Sequence, residues 1–251
     1  MMMGFIKCLL RKRSSESYIA FLRKKGVTVG RNVCFYGNLW FIDIDVTRPS
    51  LVRIGDNVHI VSPFSIITHG WESAVFREKY HEFVGSARKV TIGDNVYIGA
   101  DVMLLKGAEI GDNVIIGAKS LVTGEIPSDC VAAGIPARKI ADLDDFFEKR
   151  KKESLQEAKE YARSIYEVFK RKPVEEDFFE FFPLFLKREM QAIEEFNKKL
   201  EFKMKREGRK VMSVQSQLGT AFNYFLKTKP YYKSFEEFLV DVGVPSEEKK
   251  E

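Results

Sequence analysis

Aliphatic residues recur every six positions through the middle of this chain. Ile92, Ile98, Leu104, Ile110, Ile116 and Val122 keep the interval without a slip. Four positions after each of the first five stands a smaller second set: Val96, Val102, Ala108, Val114 and Ser120. An α-helix repeats at 3.6 residues and a half-buried strand at 2, so neither explains the spacing. A solenoid of short flat rungs does, each rung turning one aliphatic side chain into a shared core. The interval returns upstream at Ile54, Ile60 and Ile66, and again at Val29, Phe35 and Phe41, which predicts that these side chains also point inward. Gly-Asp-Asn follows the inward isoleucine at Gly55–Asn57, Gly93–Asn95 and Gly111–Asn113. These residue types tolerate the left-handed backbone of a tight corner, and Asx side chains bond the local backbone. Each rung therefore starts at an inward aliphatic residue and bends at a small polar corner.

The period covers only part of the 251 residues. Residues 1–26 form a basic N-terminal segment with a short helix over SESYIAFLRKK (15–25), ended by Gly26, which suits a helix C-terminus. That helix is expected to cap the open first coil, since terminal repeats need covering. Residues 27–140 carry the repeat. From Ala141 the pattern becomes helical, with Leu155, Ala158, Ala162, Ile165 and Phe169 on one face and Pro173 as its end. A second helix is expected near Glu175–Phe182 and a third near Leu184–Glu207. The aromatic-rich end, with Phe222, Tyr224, Phe225, Tyr231, Tyr232, Phe235 and Phe238, is expected to supply this extension's core and its docking face on the solenoid, the alternative being an aromatic platform for sugar rings or a membrane-near partner. A charged, disordered tail is expected after Val244.

Composition narrows the setting. No apolar run approaches the ~20 residues of a membrane span. In MMMGFIKCLLRKRSSES a short apolar patch precedes Arg11, Lys12 and Arg13, the reverse of a secretory leader, so a cytoplasmic protein is expected. A looser membrane-surface contact by this apolar, basic start is the alternative. Cys8, Cys34 and Cys130 are odd in number and far apart, as reduced thiols would be. The net charge of +5 suits a polyanionic ligand but is too weak, without a Lys/Arg stripe interleaved with aromatics, to indicate nucleic-acid binding.

The segments VTIGDNVYIGADV, GAEIGDNVIIGAKSLVTGEIP and VAAGIPARKI resemble the hexapeptide-repeat acyltransferases, over roughly residues 18–141. The resemblance implies a mainly β fold, a left-handed parallel β-helix, with the N-terminal helix and an α-helical C-terminal extension added. The hand comes from the resemblance alone, because parallel crossovers are ordinarily right-handed. It also implies acetyl-CoA as acyl donor, a homotrimer with sites between neighbouring subunits, and a carbohydrate acceptor.

Two interruptions break the repeat. Phe41 to Ile54 spans thirteen positions where twelve would keep phase, and Ile66 to Ile92 contains the long insert of residues 67–91. A loop of that length between regular rungs is usually functional. His69 stands at its start. Histidine titrates near neutral pH and so can take a proton from a hydroxyl as that hydroxyl attacks a carbonyl. In the resembling acyltransferases the general base stands at this place, which assigns the role to His69. His59 is expected to point outward and His81 lies mid-loop. Their spacing does not match the zinc ligands of solenoid carbonic anhydrases, so no metal is expected.

By the same resemblance Asn38, one of Asp43 and Asp45, and Tyr97 meet the acceptor, and Trp71 and Arg77 close over it from the insert. The donor is expected along Ala100 and Ala118, whose small side chains let the backbone approach, with Thr123 beside them and Arg138 and Lys139 at its phosphates. A backbone amide at Gly99–Ala100 is the candidate oxyanion donor. Lys106 departs from the family, which usually has proline there. No serine or cysteine has a context that argues for a covalent acyl-enzyme. The reading is thus a coenzyme-A-dependent O-acetyltransferase of a sugar hydroxyl, with TRPSLVRIGDN, ITHG and VFR most like members serving capsule or other surface polysaccharides. The alternatives are N-acylation of a nucleotide-linked amino sugar and a non-catalytic scaffold.

Overall fold

A computed structural model describes residues 12–244. Cys8, the rest of the first eleven residues and the tail after Val244 lie outside the described residues. Two compact units are present, Met1–Glu148 and Lys149–Glu251.

The first unit is a three-faced parallel β-solenoid. Strands β1 (Thr28–Val29), β2 (Cys34–Tyr36) and β3 (Ile42–Ile44) make the first coil. The second coil is β4 (Val52–Ile54), β5 (Val58–Val61) and β6 (Phe64–Ile66). The third is β7 (Val90–Ile92), β8 (Val96–Ile98) and β9 (Val102–Leu104). The fourth is β10 (Glu109–Ile110), β11 (Val114–Ile116) and β12 (Leu121–Val122), and β13 (Glu125–Ile126) and β14 (Cys130–Gly134) open a fifth. Each coil adds one strand to each of three sheets, β1-β4-β7-β10-β13, β2-β5-β8-β11-β14 and β3-β6-β9-β12. Val96 pairs with Val114 and Ile98 with Ile116, eighteen positions on, which is three rungs of six. The six inward residues from Ile92 to Val122 are all buried, and so is the smaller set from Val96 to Ser120. Fully burying one such aliphatic chain is worth about 1.5–3 kcal/mol.

The corners explain the Gly-Asp-Asn repeat. Asn57, Asn95 and Asn113 sit at φ 55°, 55° and 57°, in the left-handed region where Asn is among the few tolerated non-glycine residues. The Asn95 side chain donates to Asn113 Oδ1 at 2.8 Å, and Asn113 to Asp129 Oδ1 at 2.8 Å. Asp94 Oδ1 accepts from the Asp56 amide and Asp112 Oδ1 from the Asp94 amide, both at 2.7 Å. A Cβ on Gly93 would lie 2.4 Å from Asp112 Oδ1, so only glycine lets the next corner approach.

Phe41 does not point inward. It is 61% exposed, and Ile44, paired with Ile66, fills its place in the core. A 3₁₀ turn at Leu39–Phe41 lengthens the path from Phe35 to Ile44, and a second at Pro49–Leu51 lengthens the path to Ile54. The chain thus leaves the hexad twice in this coil, once on each side of β3.

The ends are closed. Helix α1 (Ser15–Lys25) starts on a Ser14–Ser17 capping box and ends at Gly26, φ 99°. It buries Tyr18, Ile19 and Leu22 in the solenoid core. At the other end β15 (Ala137–Asp142) folds back antiparallel on β14. The insert after β6 carries helix α2 (Ser73–Tyr80).

The second unit is helical. Helix α3 (Leu143–Phe169) supplies Ala158, Ala162 and Ile165 to its core, and α4 (Met190–Arg206) supplies Ile193, Phe196 and Leu200. The expected helix at Glu175–Phe182 is instead two 3₁₀ turns, Glu175–Phe178 and Phe182–Leu184, and α4 begins only at Met190. Proline at 183 and a run of phenylalanines favour short turns that aim several rings at one centre. Asp177, 2% exposed at its side chain, pins the first turn by two bonds to Arg171 and one to Lys203. Short helices α5 (Val214–Leu218), α6 (Phe222–Phe225) and α7 (Phe235–Val242) complete the unit. Phe225, Tyr232, Phe235 and Phe238 are buried, while Tyr224 and Tyr231 are exposed. Among the described residues no helix is long and apolar enough to cross a membrane.

Candidate active site

The break after β3 and the insert after β6 meet at one edge of the solenoid. The chain passes from β3 through Asp45 in the first coil and from β6 through Thr68 and His69 in the second. Because β3 and β6 pair in register, Asp45 lies beside the residues that follow Ile66, and its amide donates to Ile66 O at 3.0 Å.

The Asp45 carboxylate is locked from every side. Thr47 donates to Oδ1 through its amide at 2.9 Å and its hydroxyl at 2.6 Å. Thr68 donates to Oδ2 through its amide at 3.2 Å and its hydroxyl at 2.5 Å. His69 Nδ1 lies 2.7 Å from the same Oδ2. Burial alone would raise the Asp45 carboxyl, but these hydrogen bonds from Thr47, Thr68 and His69 outweigh it and hold the group well below the usual carboxylate range. An ionised carboxylate only accepts, so His69 Nδ1 carries the proton and donates. In the neutral ring that fixes the tautomer and leaves Nε2 with its lone pair. The His69 side chain is 31% exposed and that of Asp45 7%, so the ring is reachable while its support is not.

Asp43, by contrast, sits outward and exposed on β3, and its carboxylate takes no part in this network. Asn38 is exposed and caps its 3₁₀ turn by accepting from the Trp40 amide at 3.1 Å. Trp71 is 71% exposed, and Arg77 makes a local pair with Glu78 at 3.1 Å. Tyr97 is exposed on β8 and in register with outward His59, whose Nδ1 meets the Tyr36 hydroxyl at 2.8 Å.

Four of the residues expected to meet the donor, Gly99, Ala100, Ala118 and Thr123, divide between two edges of the third sheet. Gly99 and Ala100 lie at the β8–β9 corner, and Ala118 one coil on at the β11–β12 corner. The Gly99 amide is spent on Ile116 O at 2.9 Å and the Asp101 amide on Pro63 O at 2.7 Å. The amides of Ala100 and Ala118 have no acceptor among the described residues, which leaves Ala100 rather than Gly99 as the open donor. Thr123, exposed after β12, lies on the His69 edge instead. Arg138 and Lys139 are exposed on β15, and Lys139 pairs with Asp142 at 2.5 Å. Within a single chain a three-residue strand, about 10 Å long, separates the Ala100 edge from the His69 edge.

Sequence reasoning missed Thr47 and Thr68. Asp45-Val46-Thr47 is an Asx-turn pattern, and Thr68 stands two positions after an inward isoleucine, where a polar residue is buried and needs a partner. Both signals were readable.

A family model, bacterial transferase hexapeptide (six repeats), matches residues 89–124. Protein CapG of Staphylococcus aureus is 35% identical over 146 residues, covering 57% of this chain and 78% of CapG. Galactoside O-acetyltransferase of Escherichia coli (strain K12) is 34% identical over 134 residues, covering 52% of this chain and 61% of that protein. Among solved structures, a maltose O-acetyltransferase from Clostridium difficile 630 is 30% identical, covering 56% of this chain and 85% of that one, with a TM-score of 0.37.

Proposed function

The chain belongs to the hexapeptide-repeat family of bacterial transferases, and from that premise we propose that it is an acetyl-CoA-dependent O-acetyltransferase acting on a sugar hydroxyl. The observation that carries the reading is the Asp45–His69 contact of 2.7 Å at the mouth of the insert. Bound acetyl-CoA would supply an activated acetyl group. The acceptor oxygen forms the ester bond as the thioester C–S bond breaks, and the leaving thiolate takes the proton back from His69 to depart as free coenzyme A. The chain's own part is to orient His69 through Asp45, accept the acceptor's hydroxyl proton at Nε2, and offer the Ala100 amide to the charge that develops on the carbonyl oxygen. The small side chains of Ala100 and Ala118, with their open amides, suit close approach of an extended amide-bearing arm such as pantetheine.

The fold in this reading is a left-handed β-helix, and the active unit is a cytoplasmic homotrimer. The separation of His69 from the Ala100 edge supports a site shared between neighbouring copies, with one chain's His69 facing another's Ala100 edge and Thr123 on the same edge as its own chain's His69. A surface polysaccharide is the favoured acceptor, on the likeness of the TRPSLVRIGDN, ITHG and VFR segments.

The test is a transfer screen with acetyl-CoA and free, nucleotide-linked and polymeric glycans. The expected product is an acetyl ester on a free or polymeric sugar. An amide on a nucleotide-linked amino sugar would favour N-acylation instead, and no transfer to any acceptor would favour a scaffold. Sedimentation should give a trimer; a stable monomer at micromolar concentration would remove the shared site.

A further inference from the structure

The insert leaves the solenoid through a short antiparallel stem. The Gly70 amide donates to Ser86 O at 3.0 Å, the Arg88 amide to Thr68 O at 2.9 Å, and His69 bridges Ala87. Beyond the stem, α2 and its flanks hold Trp71, Val75, Tyr80 and Phe83 in solvent. An isolated two-stranded stem is marginal in water. Something else must fix the arm if its position matters.

Lys106 occupies the corner that follows β9, on the His69 edge and one coil further along. Its ammonium meets Glu72, just past the outgoing side of the stem, and Ser86, on the returning side. Ser86 Oγ donates to Glu72 Oε1 at 3.4 Å, which closes the triangle. The same corner grips the stem through its backbone, since the Gly107 amide donates to Lys89 O at 3.0 Å. A Cβ on Gly107 would lie 3.0 Å from Arg88 Cδ. Glu72 in turn folds over Gly70, where a Cβ would fall 2.2 Å from its Oε2. Glu72 is held below the usual carboxylate range, chiefly by the hydrogen bond from Lys106. One cation therefore ties together two residues fourteen positions apart that belong to opposite ends of the arm, beside the residue that follows His69.

We propose that Lys106 is a positioning residue that latches both ends of the arm to the coil next to His69, so setting where the arm's apolar surface stands over the acceptor. The consequence for turnover rests on the acetyltransferase reading. The latch itself does not. Lys106 and Glu72 are 34% and 43% exposed at their side chains, a setting in which an ion pair contributes little to global stability. The effect belongs in arm geometry instead.

The test uses the full chain and Lys106→Met, which keeps the stem of the side chain and removes its donors. Hydrogen exchange at the Gly70 and Arg88 amides should quicken roughly fivefold with the melting temperature unchanged. KM for the acceptor should rise by a similar factor, while KM for acetyl-CoA stays put. Exchanging the charges, with Lys106→Glu and Glu72→Lys together, should restore both. Unchanged exchange in Lys106→Met would overturn the latch. Faster exchange with an unchanged acceptor KM would overturn the positioning role. Failure of the wild type to acetylate any acceptor would count against the acetyltransferase reading, with the exchange arms still deciding the latch.

Discussion

In the solenoid, Ile98 lies in register with Ile60 on one side and Ile116 on the other. In the helical unit, Phe178 packs against five rings, Tyr161, Phe181, Phe185, Phe235 and Phe238, drawn from segments far apart in the chain. The first core is a sum of nearest-neighbour contacts between coils. The second is a single cluster in which each ring supports several others. A periodic core leaves its exceptions visible, because any residue that breaks the count must have another purpose. The Asp45–His69 pair sits where two such breaks coincide. An aperiodic core gives no comparable signal.

The largest effect expected from this contrast is on chemistry, with no change in fold. His69→Ala should lower turnover by ~10²- to 10⁴-fold, as loss of a general base does. Its melting curve should match the wild type, since His69 is outside the buried core. A parallel loss of folding would mean that the break is structural.

Next comes the aromatic cluster. Phe178→Ala should cost about 3–5 kcal/mol. Calorimetry should place the loss in one transition and leave the solenoid's transition in place. A cost under about 1 kcal/mol would show that the helical core repacks as easily as a single rung.

A smaller, pH-dependent effect should come from Asp177. Burial would raise its carboxyl, but Arg171, Lys203 and the Val174 amide hold it at about 2. Depression below the ordinary carboxylate value means the stabilisation is complete above about pH 4 and is lost as pH falls through the folded value. The amount is about 2 kcal/mol. Acid titration of Asp177→Asn should therefore show a flatter fall in stability between about pH 4 and 2 than the wild type. Identical slopes would exclude Asp177 as the source.

The smallest effect should belong to the repeat. Ile98→Val removes one methylene from one rung and should cost about 0.5–1.5 kcal/mol. Values well above that would mean that coils communicate beyond their neighbours.

How much was legible follows the same division. Ile92 to Val122, the corner asparagines and the helix 15–25 could be read because each signal is local: a spacing, an αL-tolerant residue, a cap. The inward position given to Phe41 failed because a three-residue turn at Leu39–Phe41 preserves the apparent count while moving Ile44 into the core. The helix at Glu175–Phe182 failed because the destinations of its phenylalanines are set by rings as distant as Phe238. Of the candidate site, His69 was picked out by the family resemblance, which puts the general base at this place before a long insert. Asp45 could not be separated from Asp43, since the two differ only in which side of β3's end the backbone turns them to. Thr68 was passed over, yet it is fully buried and donates twice to Asp45. Lys106 read only as a departure from the family's usual proline and instead joins the arm.

The most direct test of the account is a double-mutant cycle on turnover, with Asp45→Asn, His69→Ala and both together, using acetyl-CoA and an acceptor found by the glycan screen. Asp45 meets the reaction only through His69, so the double variant should fall within about threefold of His69→Ala alone, and Asp45→Asn should lose activity on its own. Losses that multiply, or an Asp45→Asn enzyme that turns over at the wild-type rate, would contradict the claim that the locked Asp45 carboxylate makes His69 the base.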